Sequence, residues 1–292
     1  MELGLGLPQY GALGDATRIG EFAGAAEKMG YRSFWVGDRL LTPLSPSDPY
    51  PVPDQQPYPA AFTSSIDPLV ALTAAAAATS SARLGSSTLD APWYNAALLG
   101  RALTSIDVLS NGRFDVGVGI GWMRDEYEAA GVDWATRGKR LDDTLDLWHA
   151  WWTTNPVEHR GEFFTVKPST VDLRPAQPGG PPVLLGGASV PAMRRVGRRG
   201  AGWLSIVGLP EPYEDLLWDT ARRAAEEAGR DPDLLRRVAR INPYPGTDVD
   251  GIAAQVRHTA DRGTTEMFVD LTSVADGVDH ALEIAERVIA SV

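Results

Sequence analysis

The chain has 292 residues, 43% of them hydrophobic and 22% charged, the balance of a packed globular protein, which excludes disordered, collagenous and fibrous classes. Lys and Arg total 27 against 38 Asp and Glu, and the resulting formal charge of -11 repels nucleic-acid phosphates and anionic lipid headgroups. The absence of cysteine removes disulfides, thiolate nucleophiles and thiolate metal sites, and with no signal-peptide pattern at the amino terminus and no apolar run of membrane-spanning length, a cytoplasmic protein is expected.

Residues 3–7 form a short apolar run of strand type. Residues 17–29 then place Ile19, Phe22, Ala23, Ala26 and Met29 on one helical face, so the chain opens with a βα unit. Strand-type runs recur at 33–36, 84–89, 113–118, 183–185, 203–207, 237–241 and 267–271. Helical segments fall between or after them at 68–79, 96–109, 136–152, 190–197, 212–228, 252–261 and 277–289. An eightfold alternation of this kind predicts a parallel (β/α)8 TIM barrel, here one domain spanning residues 1–292.

Two insertions interrupt the rhythm. Residues 40–66 are Pro-rich (Pro43, Pro46, Pro49, Pro51, Pro53, Pro57, Pro59), favour extended and turn conformations, and follow a strand's carboxyl end, where a lid belongs. Residues 157–174 contain Gly161-Glu162-Phe163-Phe164-Thr165-Val166, which suits a small hairpin, and the Pro-Gly stretch 175–182 reads as a loop.

In such a barrel the strand carboxyl ends carry the chemistry. The candidates there are Gln9, Asp38-Arg39, Ser87-Thr88-Leu89-Asp90, Gly117 to Gly121, Gly186-Gly187-Ala188-Ser189, Val207-Gly208, Asn242 and Asp270. Gly186-Gly187-Ala188-Ser189 follows an apolar strand and opens a helix, which suits either a phosphate cradle or a tight turn with Ser189 as N-cap. Val116-Gly117-Val118-Gly119-Ile120-Gly121 does not match a dinucleotide fingerprint, because the third glycine comes too early and Trp122 follows. It suits close approach to a flat ring, or a plain turn. Asp38 and Arg39 suit a cofactor hydroxyl and an anion or carbonyl, or simply each other; Asp90, Tyr94 and Asn95 line the mouth or, for Asn95, cap the helix that follows.

His149, His159, His258 and His280 show no ligand spacing, so no metal site is expected. Trp148, Trp151 and Trp152 lie at helical spacing and read as packing surface, and Arg194, Arg195, Arg198 and Arg199 as a solvated face or an attractor for an anionic cofactor tail. No nucleophile elbow and no P-loop is present, which points away from serine hydrolases and nucleoside triphosphatases and toward redox chemistry on a borrowed cofactor.

Several segments resemble the luciferase-like monooxygenase family in order along nearly the whole chain. They are Tyr31 to Arg39, Arg83-Leu84-Gly85-Ser86-Ser87, Leu103 to Phe114 (Leu-Thr-Ser-Ile-Asp-Val-Leu-Ser-Asn-Gly-Arg-Phe), Val116 to Trp122 with Asp125-Glu126-Tyr127, Arg137 to Asp142, Gly161 to Phe164, and Pro182 to Ala188 with Gly202-Trp203. Trp35-Val36-Gly37-Asp38-Arg39-Leu40-Leu41 and the Pro-rich insertion after it are similar to the actinobacterial branch that uses the deazaflavin coenzyme F420. The resemblance implies a ring in the barrel mouth, backed by a third-strand bulge with a non-prolyl cis peptide at Ser87-Thr88. It further implies contacts from Asp38 and Asn95, flanking by Gly119, Ile120 and Gly121, a phosphate on Gly186, Gly187 and Ala188, and a homodimer. In the sugar-phosphate dehydrogenases of the family a His follows the matching Asp and a Glu ends the glycine-rich strand; here those places hold Arg39 and Trp122, which argues against sugar-phosphate oxidation.

The expected activity is hydride transfer between F420 and a small organic substrate beneath the 40–66 insertion, with Arg39 as the residue that stabilises negative charge on a substrate carbonyl or enone. The alternatives are a monooxygenase using reduced FMN and dioxygen, and a barrel that binds a ligand without turnover.

Overall fold

The computed structural model describes residues 1–51 and 58–292. Residues 52–57 of the Pro-rich insertion, Pro53 and Pro57 among them, lie outside the described residues.

Eight strands close into a parallel barrel: β1 (Glu2–Gly6), β2 (Ser33–Val36), β3 (Arg83–Ser86), β4 (Phe114–Val118), β7 (Val183–Gly186), β8 (Gly202–Ile206), β9 (Arg236–Ile241) and β10 (Glu266–Val269). They stand in the order β1-β10-β9-β8-β7-β4-β3-β2. All eight coincide with the apolar runs of the sequence. The two numbers missing from the ring belong to β5 (Val157–Arg160) and β6 (Thr165–Ser169), an antiparallel pair at the position expected for a hairpin. Asp143 holds that pair, accepting from the Phe163 and Phe164 amides at 2.6 and 3.1 Å, and contacts His159 at 2.6 Å. A Cβ on Gly161 would lie 1.7 Å from the Asp143 carboxylate, so only glycine admits this contact.

The helices are α1 (Ile19–Met29), α2 (Pro68–Ala78), α3 (Ala96–Leu109), α4 (Arg124–Ala129), α5 (Arg137–Thr153), α6 (Val190–Arg199), α7 (Glu211–Glu227), α8 (Val249–Asp261) and α9 (Val278–Ile289). The helices bury apolar residues against the strands: Ile19, Phe22, Ala23 and Ala26 of α1 are buried, and Trp148 and Trp152 of α5 bury their rings while their indole N–H groups bond Ala96 O and Thr104 Oγ1. Asn95 caps α3, its Oδ1 accepting from Ala97 and Leu98 amides at 3.1 Å. Its oxygen is therefore engaged in the helix cap.

Three layers fill the barrel. At the amino ends of the strands Asp115, with no exposed side-chain surface, takes bidentate bonds from Arg83 and from Arg236, and Arg236 also binds Glu266. Above it Trp35, Leu184, Leu204, Val238 and Phe268, one from each of five strands, form a dry middle layer in which Trp35 stacks on Phe268 at 5.1 Å. Small residues make room for it: a Cβ on Gly85 would lie 2.3 Å from the Trp35 ring. The polar groups of the carboxyl ends lie above this layer. No helix among the described residues is long and apolar enough to cross a membrane.

Candidate active site at the barrel mouth

The third strand does not run straight into the mouth. Gly85 pairs with Asp115, and the next bridge joins Leu89 to Val118, so four steps on one strand face three on the other and one residue bulges. Ser86 Oγ fills the interrupted ladder, donating to Gly117 O at 2.7 Å and accepting from Gly117 N at 3.0 Å. Within the bulge the Ser87-Thr88 peptide is cis, as the resemblance implies, and both residues are half-buried at the mouth.

Thr88 explains two of the glycines. A Cβ on Gly119 would lie 2.6 Å from Thr88 Oγ1, and one on Gly186 would lie 2.7 Å from Thr88 Cγ2. The fourth and fifth barrel strands thus close on this side chain from two sides. Gly121 differs in kind, since its φ of 63° lies in the left-handed region and Asp90 Oδ2 stands 3.0 Å from the place of a Cβ. Ile120, between them, is half-buried.

Beside the bulge lie three buried acids and one guanidinium. Asp38 Oδ2 accepts from the Asp90 amide and from the Tyr94 hydroxyl, each at 3.0 Å. Arg39 pairs with Glu126 at 2.8 Å, approaches Asp90 at 3.6 Å, and donates from Nε to Asp38 O at 2.9 Å. So Asp38 and Arg39 do not pair through their side chains; Arg39 is instead neutralised from α4. Its Nη1 is buried and has no hydrogen-bond partner among the described residues. Loss of water pushes Asp38 up to about 7, against the stabilising bonds from Asp90 and Tyr94. The same burial, with Asp38 as neighbour, pushes Asp90 well above the carboxylate range, and Glu126 is raised by burial as well.

The Pro-rich insertion docks on α4 by exchanged caps. Ser47 donates its amide and hydroxyl to Asp125, Asp48 accepts the Arg124 amide at 3.0 Å, and Leu40 N reaches Glu126 Oε1 at 2.8 Å. This brings Tyr50, Tyr58 and Phe62 over the mouth. Tyr50 and Tyr58 each stand edge-on to Trp122 at 5.4 Å, and the Arg39 guanidinium lies 4.7 Å over the Trp122 ring.

Across the mouth, Arg240 donates to Ser87 O at 2.8 Å and pairs with Asp270 at 2.6 Å. Gly186, half-buried at the end of β7, leads into the exposed turn Gly187 to Ser189 before α6. Gly187 has φ 135°, Ser189 caps the helix through the Ala192 amide, and the carbonyls of Gly187 and Ala188 are tied to Trp203 Nε1 and Tyr213 Oη at 2.8 Å. The basic run behind it is spent largely on acids of α5: Arg195 on Asp142, and Arg199 on Asp146 and Asp142. Among the described residues no group of His, Asp and Glu stands in metal-holding geometry.

Residues 4–288 match the family model for luciferase-like monooxygenases. The chain belongs to the luciferase-like monooxygenase family. An uncharacterised protein of Mycobacterium tuberculosis is 30% identical over 259 residues, covering 88% of this chain and 86% of its own. Among solved structures, the monooxygenase RslO1 from Streptomyces bottropensis superposes with a TM-score of 0.80 at 18% identity, covering 99% of this chain and 97% of that one. An F420-dependent secondary alcohol dehydrogenase in complex with an F420-acetone adduct reaches 0.78 at 16%, covering 99% and 98%. At these identities the two structures show the common barrel and not a common reaction.

For a luciferase-like barrel the sequence names most of the mouth correctly as to place: Asp38, Arg39, Ser87, Thr88, Asp90, Gly119 to Gly121, Gly186 to Ala188 and Asp270 all lie at strand carboxyl ends. It gives no role to Glu126, which stands in a six-residue helix too short for periodicity, nor to Arg240, which lies two residues beyond inward Val238 on the same face of β9. A charged residue in step with an inward apolar one, two positions apart in a barrel strand, is the signal that was there to be read.

Proposed function

We propose that the protein is a coenzyme F420-dependent oxidoreductase that moves hydride between the deazaflavin and a small carbonyl or enone compound. The observation that carries the reading is the bulge at Ser87-Thr88, closed on by Gly119 and Gly186, which offers a backbone surface to one face of a flat ring. The turn at Gly186 to Ala188 before α6 fits the phosphate of such a cofactor, and buried Arg39 Nη1, without a partner among the described residues, is a donor for a ligand oxygen. When bound, the deazaflavin would supply two-electron hydride chemistry.

The chain's residues supply the rest. Arg39, fixed by Glu126 and Asp38 O, presents Nη1 to a substrate oxygen that gains negative charge. Burial raises Asp38, to about 7, and Asp90 with it, so this acid pair holds a proton near neutral pH that is available to a bound oxygen. Tyr50, Tyr58 and Phe62 cover the mouth and exclude water. The contact between Arg39 and Trp122, at the two places that carry acid-base groups in sugar-phosphate dehydrogenases, supports a neutral organic substrate in place of a sugar phosphate.

Equilibrium binding of oxidised F420 and of FMN, followed by fluorescence quenching at matched salt, tests this. Binding of F420 with negligible uptake of FMN is the expected result. The reverse preference moves the reaction to reduced flavin and dioxygen, and binding of neither removes the cofactor assignment.

A further inference from the structure

One cation reaches the middle of the mouth. Arg240 stands on β9 and bonds the Ser87 carbonyl beyond β3, and in the closed order these strands are four places apart by either route, so its side chain crosses the barrel. The arms of its fork part company: Nη1 is on the bulge, Nη2 on Asp270 at 2.6 Å, and Nε donates to Asn242 Oδ1 at 2.8 Å. The guanidinium carbon lies 5.9 Å from the Phe268 ring, the upper surface of the dry middle layer, and 21% of the side chain remains exposed to the mouth. Its carboxylate partner stands on the β10 side, while the bulge receives the positive arm.

We propose that Arg240 is a positioning residue that fixes the Ser87-Thr88 bulge and biases whatever ring lies against it toward its reduced state. This rests on the reading that a deazaflavin or flavin binds there. Hydride uptake adds two electrons and one proton to such a ring, which then carries one more negative charge than its oxidised form. A fixed cation in a water-poor mouth favours that form. A strut without electrostatic consequence would hold both redox states equally.

The experiment is anaerobic titration of the whole protein with oxidised and with reduced coenzyme F420, comparing the two dissociation constants. Arg240→Met is expected to lose about tenfold in the preference for the reduced form, equivalent to a midpoint potential about 30 mV more negative for a two-electron couple. Arg240→Lys keeps the charge and loses the fork, so the preference survives while both forms bind more weakly. Asp270→Asn removes the counter-charge and shifts the preference toward the reduced form. Equal weakening of both forms in Arg240→Met overturns the proposal, and where that variant does not fold, an unchanged preference in Asp270→Asn overturns it instead. Wild-type protein that binds neither form overturns the ring-cofactor reading and this inference with it, an outcome distinct from normal binding with no change in preference.

Discussion

Arg39 stands over the indole of Trp122, the guanidinium carbon 4.7 Å from the ring centroid, while the same guanidinium pairs at 2.8 Å with Glu126, which has no exposed side-chain surface. The ring gives the cation a face, and the carboxylate gives it a counter-charge, so Arg39 is held from two sides with one nitrogen to spare. Arg39→Met leaves Glu126 buried and unpaired, and a loss of about 3–5 kcal/mol is expected in urea unfolding. Arg39→Met with Glu126→Gln removes both charges and recovers much of that loss, although turnover stays low in both. A single variant as stable as the wild type would mean that the pair is not desolvated.

Asp38 yields a stability that depends on pH. Its folded value of about 7 lies above its ordinary 3.8, so between the two the folded protein keeps a proton that the unfolded chain has released. The contribution is complete below the unfolded value and is lost as pH rises through about 7, with a slope of up to about 1.4 kcal/mol per pH unit. Asp90 is raised by the same burial and acts in the same sense. Urea midpoints should therefore fall from about pH 5 to about pH 8. Asp38→Asn, which cannot titrate, should flatten the curve, and an identical slope in that variant would reassign the proton to another group.

The opposite end of the barrel separates stability from function. Asp115 is the shared acceptor of Arg83 and Arg236, with four donor contacts between 2.6 and 3.0 Å. Asp115→Asn leaves two guanidinium groups facing a neutral amide, and a cost of about 3–5 kcal/mol is expected. Because the dry layer around Trp35 and Phe268 lies between this cluster and the mouth, cofactor affinity should not change at temperatures where the variant is folded. Parallel loss of affinity would show that the two ends of the barrel are coupled.

The fold was open to reading because parallel strands, covered on both sides, are written as short apolar runs, and each of the eight lies where such a run stands. The run at 84–89 reads as one strand, but the ladder to β4 stops at Gly85 and resumes at Leu89, a break that the family resemblance implied and the apolar pattern did not show. Within the site, Asp38 and Asp90 were visible because a polar residue after an apolar strand stands at the mouth. Glu126 was not, since its partner Arg39 comes 87 positions earlier and nothing local marks it, and Arg240 meets Ser87 across 153 positions. Pairings over such separations are made by barrel closure, which leaves no trace in a local pattern.

Closure also sets the last test, at Thr88. Gly119 and Gly186 have ordinary backbone angles, so alanine at either is resisted by crowding and not by backbone strain, in contrast to Gly121 and Gly187 with φ 63° and 135°. Gly119→Ala places a methyl 2.6 Å from Thr88 Oγ1, an overpacked contact of about 1–3 kcal/mol. The bulge must shift to relieve it, and cofactor binding should weaken with it. Thr88→Ala removes Oγ1 and Cγ2 while its Cβ would remain 3.4 Å from the new methyl, an ordinary approach once the hydroxyl is gone. The double variant should therefore regain stability and binding that the first variant loses, with a coupling of about 0.5–3 kcal/mol in the cycle. Strict additivity would place the pressure of Gly119 on some neighbour other than Thr88, and the bulge would then owe its shape to the strand ladder alone.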